Sequence, residues 1–414
     1  MPYKVIFLSV AALLFLSACP DSPTNPQDDN PYKQESIDWP SLADSPWPMW
    51  GHDPQWTFRS QYIGPNTNDT FRVYQNLTGA MWESGFLIDE NDNIYITTSW
   101  DSSFVNTFNK SVGVITRLNA DYQIVWRKAV AYESVSEING FINVVPVISK
   151  EGVCVFGSDC SLTRIKDDGI IESRTIINQN CPMWALQIDK EGNLYWANNG
   201  ISSYTVNGEI RWENTTREFT FIGPFAPQGD RIYASSRDST FALDAASGNI
   251  LWSRPGKGSI SVDCNGKIYT LTDSSVLAIM PDGNLDWETK LLVNGIQYFS
   301  GSTNIAVGPE GNLYFDVWNN SSAIISVSPE GDIRWLYQVE DNVDAWIIAD
   351  AAGNTYTYST DGRIFSLDSN GELRWSTQVF SSIGEEIFMA INSRGELLIA
   401  GVRNDEFNGI IKIG

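Results

Sequence analysis

The chain has a single histidine, His52, among its 414 residues. Catalysis by a Ser-His-Asp triad would depend on that one residue, and a metal site built from histidines lacks ligands. No Cys-x-x-Cys-His motif is present, so the sequence has no attachment site for a c-type haem. Residues 89–93 begin like a Ca²⁺ loop but lack its glycine and its distal glutamate. We therefore expect no metal site, and we expect His52 to be a surface or packing residue.

Basic residues are scarce. The chain has 27 Lys and Arg against 50 Asp and Glu, which gives a net charge of −23. Such a charge repels nucleic acid and anionic lipid surfaces. Nucleic acid is therefore excluded as a partner, and we expect membrane contact only through a lipid anchor.

A long apolar run is also missing. The longest one, residues 5–16, is too short to span a membrane but follows Lys4 and leads into Leu16-Ser-Ala-Cys19. This layout predicts a signal peptide over residues 1–18, and the last four residues resemble the bacterial lipobox, in which Cys19 would be lipidated. Because Pro20 and not Asp follows the cysteine, delivery to the outer membrane is favoured. Whether the protein faces the periplasm or the cell surface stays open.

The residues after Cys19 predict a tether. Residues 19–46 are rich in Pro, Asp, Ser and Asn, with few apolar residues, and are predicted to be flexible. A lead-in segment, residues 47–69, follows.

Two short phrases recur through the rest of the chain. Gly-x-(Ile/Leu)-x-Trp occurs five times, and a degraded copy ends at Trp126; the five complete copies end at Trp212, Trp252, Trp287, Trp335 and Trp375. Between them, a polar turn with Gly or Asp leads into a short apolar strand eight times, mostly about 36 to 45 residues apart. Apolar residues alternate with a period of two, and helical periodicity is almost absent. The spacing predicts an all-β chain of eight four-stranded propeller blades over residues 70–414.

The last blade needs a strand from elsewhere. The eighth unit supplies two clear strands and the chain then ends one strand short of a blade. Residues 70–76 resemble the outer strand of a repeat without the strands that should precede it. Because an unpaired edge invites aggregation, we expect this N-terminal strand to complete the eighth blade and close the ring.

These residues resemble a known family. Ala242-Leu-Asp-Ala-Ala-Ser-Gly-Asn-Ile-Leu-Trp252 is similar to the tryptophan-docking repeat of the pyrroloquinoline-quinone (PQQ)-like eight-bladed propellers. The resemblance covers residues 45–414. It implies that Trp126, Trp212, Trp252, Trp287, Trp335 and Trp375 pack into the neighbouring blade and stabilise the ring by the area they bury.

The family includes both enzymes and scaffolds. Its dehydrogenases hold PQQ with Ca²⁺, in the methanol dehydrogenase type beside a Cys-Cys disulfide, and this chain has no Cys-Cys dipeptide. PQQ and Ca²⁺ are therefore disfavoured as cofactors, and none is predicted. Members of the BamB type are outer-membrane lipoproteins of similar size, anchor and fold, and they scaffold the insertion of β-barrel proteins.

Four cysteines follow Cys19, and they allow three complete pairings. Cys154 occupies an apolar strand position and is expected to be a buried thiol. Cys160 and Cys181 lie in neighbouring connecting segments, and we predict a stabilising disulfide between them in an exported protein.

Three functions fit the sequence. The first is a non-catalytic, lipid-anchored and monomeric propeller that binds envelope proteins or glycans; the second is a PQQ-dependent dehydrogenase with a non-standard site; the third is a surface adhesion or structural module. Propellers bind ligands through loops on one face, because loops cluster there on a rigid frame. Two loops carry aromatic residues suited to binding, one with Trp100, Phe104 and Phe108 and the other with Trp318. A packed cap is the alternative role for these side chains.

Overall fold

The computed structural model describes residues 30–75, 79, 85–108, 111–132, 142, 144–157, 159–177, 183–197, 200–219, 221–301, 304–339, 343, 346–380, 387–400 and 409–414. Tyr32–Gly414 form one compact unit. The predicted signal peptide and Cys19 lie outside the described residues. Within the described ranges, every helix is too short or too polar to cross a membrane.

The unit is a propeller of eight four-stranded antiparallel blades, as the repeats predict. The strands of blades 1 to 4 are, in order, β2 (Phe86–Ile88), β3 (Ile94–Asp101), β4 (Val112–Leu118) and β5 (Ile124–Ala131); β7 (Val147–Ser149), β8 (Gly152–Phe156), β9 (Ser161–Ile165) and β10 (Ile171–Ile176); β11 (Met183–Ile188), β12 (Leu194–Ala197), β13 (Ile201–Tyr204) and β14 (Ile210–Asn214); and β15 (Phe221–Phe225), β16 (Arg231–Ser235), β17 (Ser239–Asp244) and β18 (Ile250–Pro255).

The strands of blades 5 to 8 are β19 (Lys257–Val262), β20 (Ile268–Leu271), β21 (Ser275–Ile279) and β22 (Leu285–Lys290); β25 (Phe299–Ser300) with β26 (Ala306–Val307), β27 (Leu313–Asn319), β28 (Ser321–Val327) and β29 (Ile333–Gln338); β30 (Ile348–Ala349), β31 (Thr355–Tyr358), β32 (Arg363–Leu367) and β33 (Leu373–Gln378); and β34 (Phe388–Ile391), β35 (Leu397–Ala400), β36 (Gly409–Ile413) and β1 (Thr70–Gln75). Outside this pattern are α1 (Val105–Phe108), β6 (Val144–Val145), which pairs with β11, and the hairpin of β23 (Leu292–Val293) and β24 (Ile296–Gln297).

Burial decreases from the axis of the ring outwards. The second strand of a blade is buried on both sides between its neighbours, as in β12 and β20, whereas the fourth strand is largely exposed, as in β22. Apolar side chains on the inner strands therefore form the core between blades, and the polar alternation of the outer strands faces solvent.

The N-terminal strand closes the ring, as predicted. β1 pairs antiparallel with β36, from Thr70 opposite Ile413 to Gln75 opposite Gly409. At the seam between blades 8 and 1, Ser393 donates from its backbone N–H to Asp92 at 2.9 Å. Backbone pairing and side-chain contacts thus join the first and last parts of the propeller.

The predicted tether is too long. Residues 32–46 belong to the compact unit, with Trp39, Leu42 and Ser45 buried against the propeller. The Trp39 ring donates from Nε1 to the carbonyl of Ile188 at 2.9 Å. The few apolar residues in this stretch are enough to hold it on the ring, because each buries a large apolar area. We call residues 32–46 the strap.

Candidate functional site

The six repeat tryptophans form the contacts between neighbouring blades. Their Nε1–H groups donate at 2.9–3.1 Å to carbonyl oxygens of the next blade or, for the last one, of the lead-in: Trp126 to Asp167, Trp212 to Ala245, Trp252 to Pro281, Trp287 to Pro329, Trp335 to Ser369 and Trp375 to Pro65. Five rings also lie directly over a glycine of positive φ that opens the next repeat: Gly169, Gly248, Gly283, Gly331 and Gly371. These six side chains therefore have a structural role in holding neighbouring blades together.

The buried carboxylates of the turns are also structural. In blade 7, Tyr356 donates to Asp350 Oδ2 at 2.9 Å, and Arg374 donates to the Tyr356 hydroxyl at 2.9 Å. Burial, together with the charge of Asp350, raises the pKa of Tyr356 above its usual value. The same Asp-Tyr pair recurs in blades 3 and 5. Perturbed titration at these positions therefore reflects a repeated packing motif and not catalysis.

The two faces of the ring differ. The face where the first strand of each blade turns into the second, as at Asp189 and Asp350, we call the turn face. The opposite face carries the connections from second to third strands and those between blades, and we call it the loop face.

The lead-in segment closes the channel at the turn face. Residues 47–58 follow the ring from blade to blade and form backbone hydrogen bonds of 2.7–3.3 Å with six blades, at or next to the end of the innermost strand: Trp47 with Ile88, Pro48 with Ile148, Pro54 with Phe225, Gln55 with Val262, Thr57 with Val307 and Phe58 with Ala349. Trp39 of the strap contacts blade 3 through its side chain, whose Nε1–H donates to the Ile188 carbonyl. We call residues 47–62 the plug. Its position could not be predicted from local sequence patterns, because all these partners are distant along the chain.

Aromatic and apolar side chains of the plug and of the ring pack together at the axis. Met49 is fully buried, and Trp50 packs edge-on against Trp346 and Phe388, with ring centroids 4.4 and 5.5 Å apart. The remaining cavity there has a volume of about 20 Å³, which is about the space of one water molecule.

The residues that line this small cavity at the axis do not fit PQQ. The quinone is a large acid that needs room and counter-charges, whereas the cavity is small and apolar in lining. Among the described residues, no group of three or more His, Cys, Asp or Glu side chains is placed to hold a metal ion.

The first predicted binding loop folds as a cap. Phe108 stacks on Tyr132 with ring centroids 4.6 Å apart, and Phe104 packs with them against the buried strands β4 and β5. Trp100 is half-buried at the end of β3. These aromatic residues are therefore partly withdrawn from solvent.

The second predicted loop presents an exposed apolar surface. Trp318 is 51% exposed, and its ring centroid lies 5.4 Å from that of Phe299, which is 39% exposed. Beside them, the β23–β24 hairpin exposes Leu292 and Ile296, and Asn319 Nδ2 donates to the Gln297 carbonyl at 2.6 Å, which ties the hairpin to the Trp318 loop. We call Leu292, Ile296, Phe299 and Trp318 the apolar patch.

Only Trp318 of the patch was recognised in the sequence. A signal for the hairpin was present, since Asn294-Gly295 between the apolar residues Val293 and Ile296 favours a two-residue turn with positive φ at both positions. The structure has that geometry, with φ of 52° and 78°.

The cysteines have distinct environments. Cys154 is a free, fully buried thiol, and burial raises its pKa to about 12. Cys264 is also free and is partly exposed. Cys160 is disulfide-bonded; its predicted partner Cys181 lies outside the described residues, so that pairing stays a prediction.

Comparison with known proteins supports the fold. A family model described as outer membrane protein assembly factor BamB matches residues 113–298, a little under half of the chain. A europium-containing methanol dehydrogenase is 11% identical with a TM-score of 0.63, covering 86% of this chain and 89% of that one. The quinohemoprotein alcohol dehydrogenase from Comamonas testosteroni is 10% identical with a TM-score of 0.62, covering 89% and 80%. BamB from Moraxella catarrhalis is 11% identical with a TM-score of 0.58, covering 84% and 98%. No curated protein matches the chain. The chain therefore has the eight-bladed fold that BamB and the quinoprotein dehydrogenases share, and at these identities the likeness to the solved structures extends to the fold alone.

Proposed function

We propose that this chain is a non-catalytic, lipid-anchored envelope protein whose propeller is a scaffold for protein binding through its loop face. The match of residues 113–298 to the BamB family model supports an assembly role at the outer membrane. The lipobox-like residues ending at Cys19 support the anchor and the outer-membrane location.

The apolar patch is the observation that carries this proposal. Four large apolar side chains, each between 39% and 51% exposed, lie on a structured part of the loop face. Soluble proteins rarely leave such groups exposed without a partner, so contiguous patches of this kind mark interaction sites. An apolar protein surface suits the patch, and the net charge of −23 opposes nucleic acid.

The strap leaves the loop face free. It begins on the turn face, where Gln34 N–H donates to the carbonyl of Pro309 at 2.7 Å. The apolar patch lies on the opposite face and is not covered by the strap.

Site-specific cross-linking in intact cells tests the proposal. We would place the photoreactive residue benzoylphenylalanine at Trp318 in the anchored full chain and, as a control, at Leu285, which is 50% exposed on the outer strand β22. A scaffold that uses the loop face gives a discrete adduct with an envelope protein from position 318 and none from position 285. Equal background at both positions would contradict it.

The same cells separate the alternatives. Oxidation of alcohols or sugars that depends on added PQQ and Ca²⁺ would replace the scaffold with a dehydrogenase, an alternative that the fold comparisons keep open. Cleavage of the propeller by protease added to intact cells, without an adduct from position 318, would favour a surface adhesion or structural module.

A further inference from the structure

A second cavity lies on the turn face, between the strap and the plug. Its volume is about 520 Å³, within the range of about 300–1,000 Å³ that holds small-molecule ligands. The strap forms one wall, the plug forms another, and Lys150, Cys264 and Pro309 of the ring complete it. The aromatic packing at the axis is a separate feature with its own lining.

Three buried polar atoms in the wall of this cavity have no protein partner. They are Ser45 Oγ, His52 Nε2 and Gln55 Nε2. Ser45 is 5% exposed and Gln55 only 2%. Burial of a polar group without a hydrogen bond destabilises the fold. Ser45 belongs to the strap wall, and His52 and Gln55 belong to the plug wall, so unpaired polar groups occur on both sides of the cavity.

Asp53 fixes the orientation of the His52 ring. Asp53 is held by the backbone N–H groups of Gln55 and Thr57 at 3.1 and 3.0 Å and by the Thr57 hydroxyl. Its Oδ2 lies 3.3 Å from His52 Nδ1. Burial opposes ionisation of Asp53, but the hydrogen bond and charge of His52 outweigh it and lower the pKa of the carboxyl. Because an ionised carboxylate can only accept, we assign a proton to Nδ1, and Nε2 is the ring nitrogen left for a ligand.

The charges at the cavity do not favour an anion. The lining contains the acids Glu35, Asp38 and Asp44 against the bases Lys33 and Lys150, and Arg59 lies near the buried Asp53. Arg59 Nη1 donates to the carbonyl of Val307 at 3.1 Å. An incoming anion would thus find no excess of positive charge to offset its desolvation.

We propose that this cavity binds a neutral polyhydroxylated molecule of mono- or disaccharide size. A sugar hydroxyl both donates and accepts, so it can pair with His52 Nε2 in either protonation state of the ring, accept from the Gln55 amide, and do either with the Ser45 hydroxyl. The apolar surfaces of Trp39, Pro48 and Pro54 in the lining suit the C–H faces of a sugar ring. The site is on the opposite face from the apolar patch, so it stands independently of the proposed protein scaffold.

Calorimetric titration of the purified full chain tests this site. The probes are glucose, N-acetylglucosamine, maltose and cellobiose, in a detergent without a sugar head group so that the detergent cannot compete. At least one probe should bind with a Kd of about 1 mM or tighter. Gln55→Leu should weaken that binding about tenfold or more, since the leucine offers no donor to the ligand.

A matched control separates local from general effects. Gln187 in β11 is fully buried, and both amide atoms lack protein partners, but it lies outside the cavity lining. Gln187→Leu should leave sugar binding unchanged within about twofold. If Gln55→Leu does not fold, Ser45→Ala replaces it, with weaker binding expected again. Failure of all four probes, unchanged binding in the Gln55→Leu variant, or binding of inorganic phosphate in place of the sugars would overturn the proposal.

Discussion

Replacing Gly283 with alanine would measure how strongly a docked tryptophan constrains the next blade. Gly283 has φ +87°, and a Cβ atom there would lie 2.7 Å from Cγ of Trp252 and 3.0 Å from Cδ1. The ring cannot move away without loss, because Trp252 Nε1 donates to Pro281 at 3.1 Å and Arg254 Nε donates to the Gly283 carbonyl at 2.6 Å. The alanine must therefore displace a side chain that joins two blades.

Gly266 provides a matched control in the same blade. Its φ is +88°, but a Cβ atom there would meet only Pro281 and Pro227, at 3.4 Å or more. Both alanine variants carry the backbone strain of a left-handed residue, about 1–2 kcal/mol. Gly283→Ala adds a steric overlap that we place at about 1–3 kcal/mol from overpacked cores. We expect total losses of about 2–5 kcal/mol for Gly283→Ala and about 1–2 kcal/mol for Gly266→Ala.

Urea denaturation of both variants and the parent, followed by tryptophan fluorescence, would give these losses. The reasoning fails if the two variants lose the same free energy of unfolding. A double variant adds a second check: with Trp252→Leu in place, Gly283→Ala should cost only its backbone strain, so the two substitutions should be less than additive.

Two further predictions concern the seam and the thiols. Although burial opposes it, hydrogen bonds from Lys412, Asn392 and Arg394 lower the pKa of Glu396 to about 2; since this lies below the usual value of 4.5, its contribution to stability is complete above about pH 4.5 and is lost as the pH falls towards 2. Glu396→Gln should therefore flatten the fall in urea midpoint between pH 5 and pH 3, whereas Glu330→Gln on an exposed turn should not, and parallel profiles for both would refute the assignment. Maleimide labelling read by mass spectrometry should modify Cys264 in the native protein and Cys154 only after unfolding, because Cys154 is fully buried with a pKa raised to about 12; early modification of Cys154 would contradict its burial.

The blades could be predicted because the residues within each repeat determine its turns and strands locally. The glycine before each Trp marks a turn of positive φ, and the alternating apolar residues mark strands, so spacing alone gave the fold. The need to pair the open edge of β36 similarly identified β1. These inferences used neighbours in sequence or a simple count of strands.

The site depended on contacts that no local pattern encodes. The plug pairs Phe58 with Ala349 and Pro54 with Phe225, far apart in the chain. The polar composition of residues 32–46 predicts a tether, yet Trp39 and Leu42 are buried and hold these residues on the ring. The roles of Ser45 and Gln55 emerge only when the strap and the plug lie against one another.

The pairing of β1 with β36 also sets an order of events during folding. Thr70 leaves the ribosome long before Ile413, its partner in the ladder, so the first strand made must wait for the last one. The plug waits almost as long, since Ala349 is among its partners. Contacts between such distant segments slow folding. The chain loses conformational entropy when it closes the large loop between them, and this loss comes before the contacts can stabilise the fold. A growing chain can therefore stack its middle blades while β1 stays unpaired, and the ring closes only after β36 has been made.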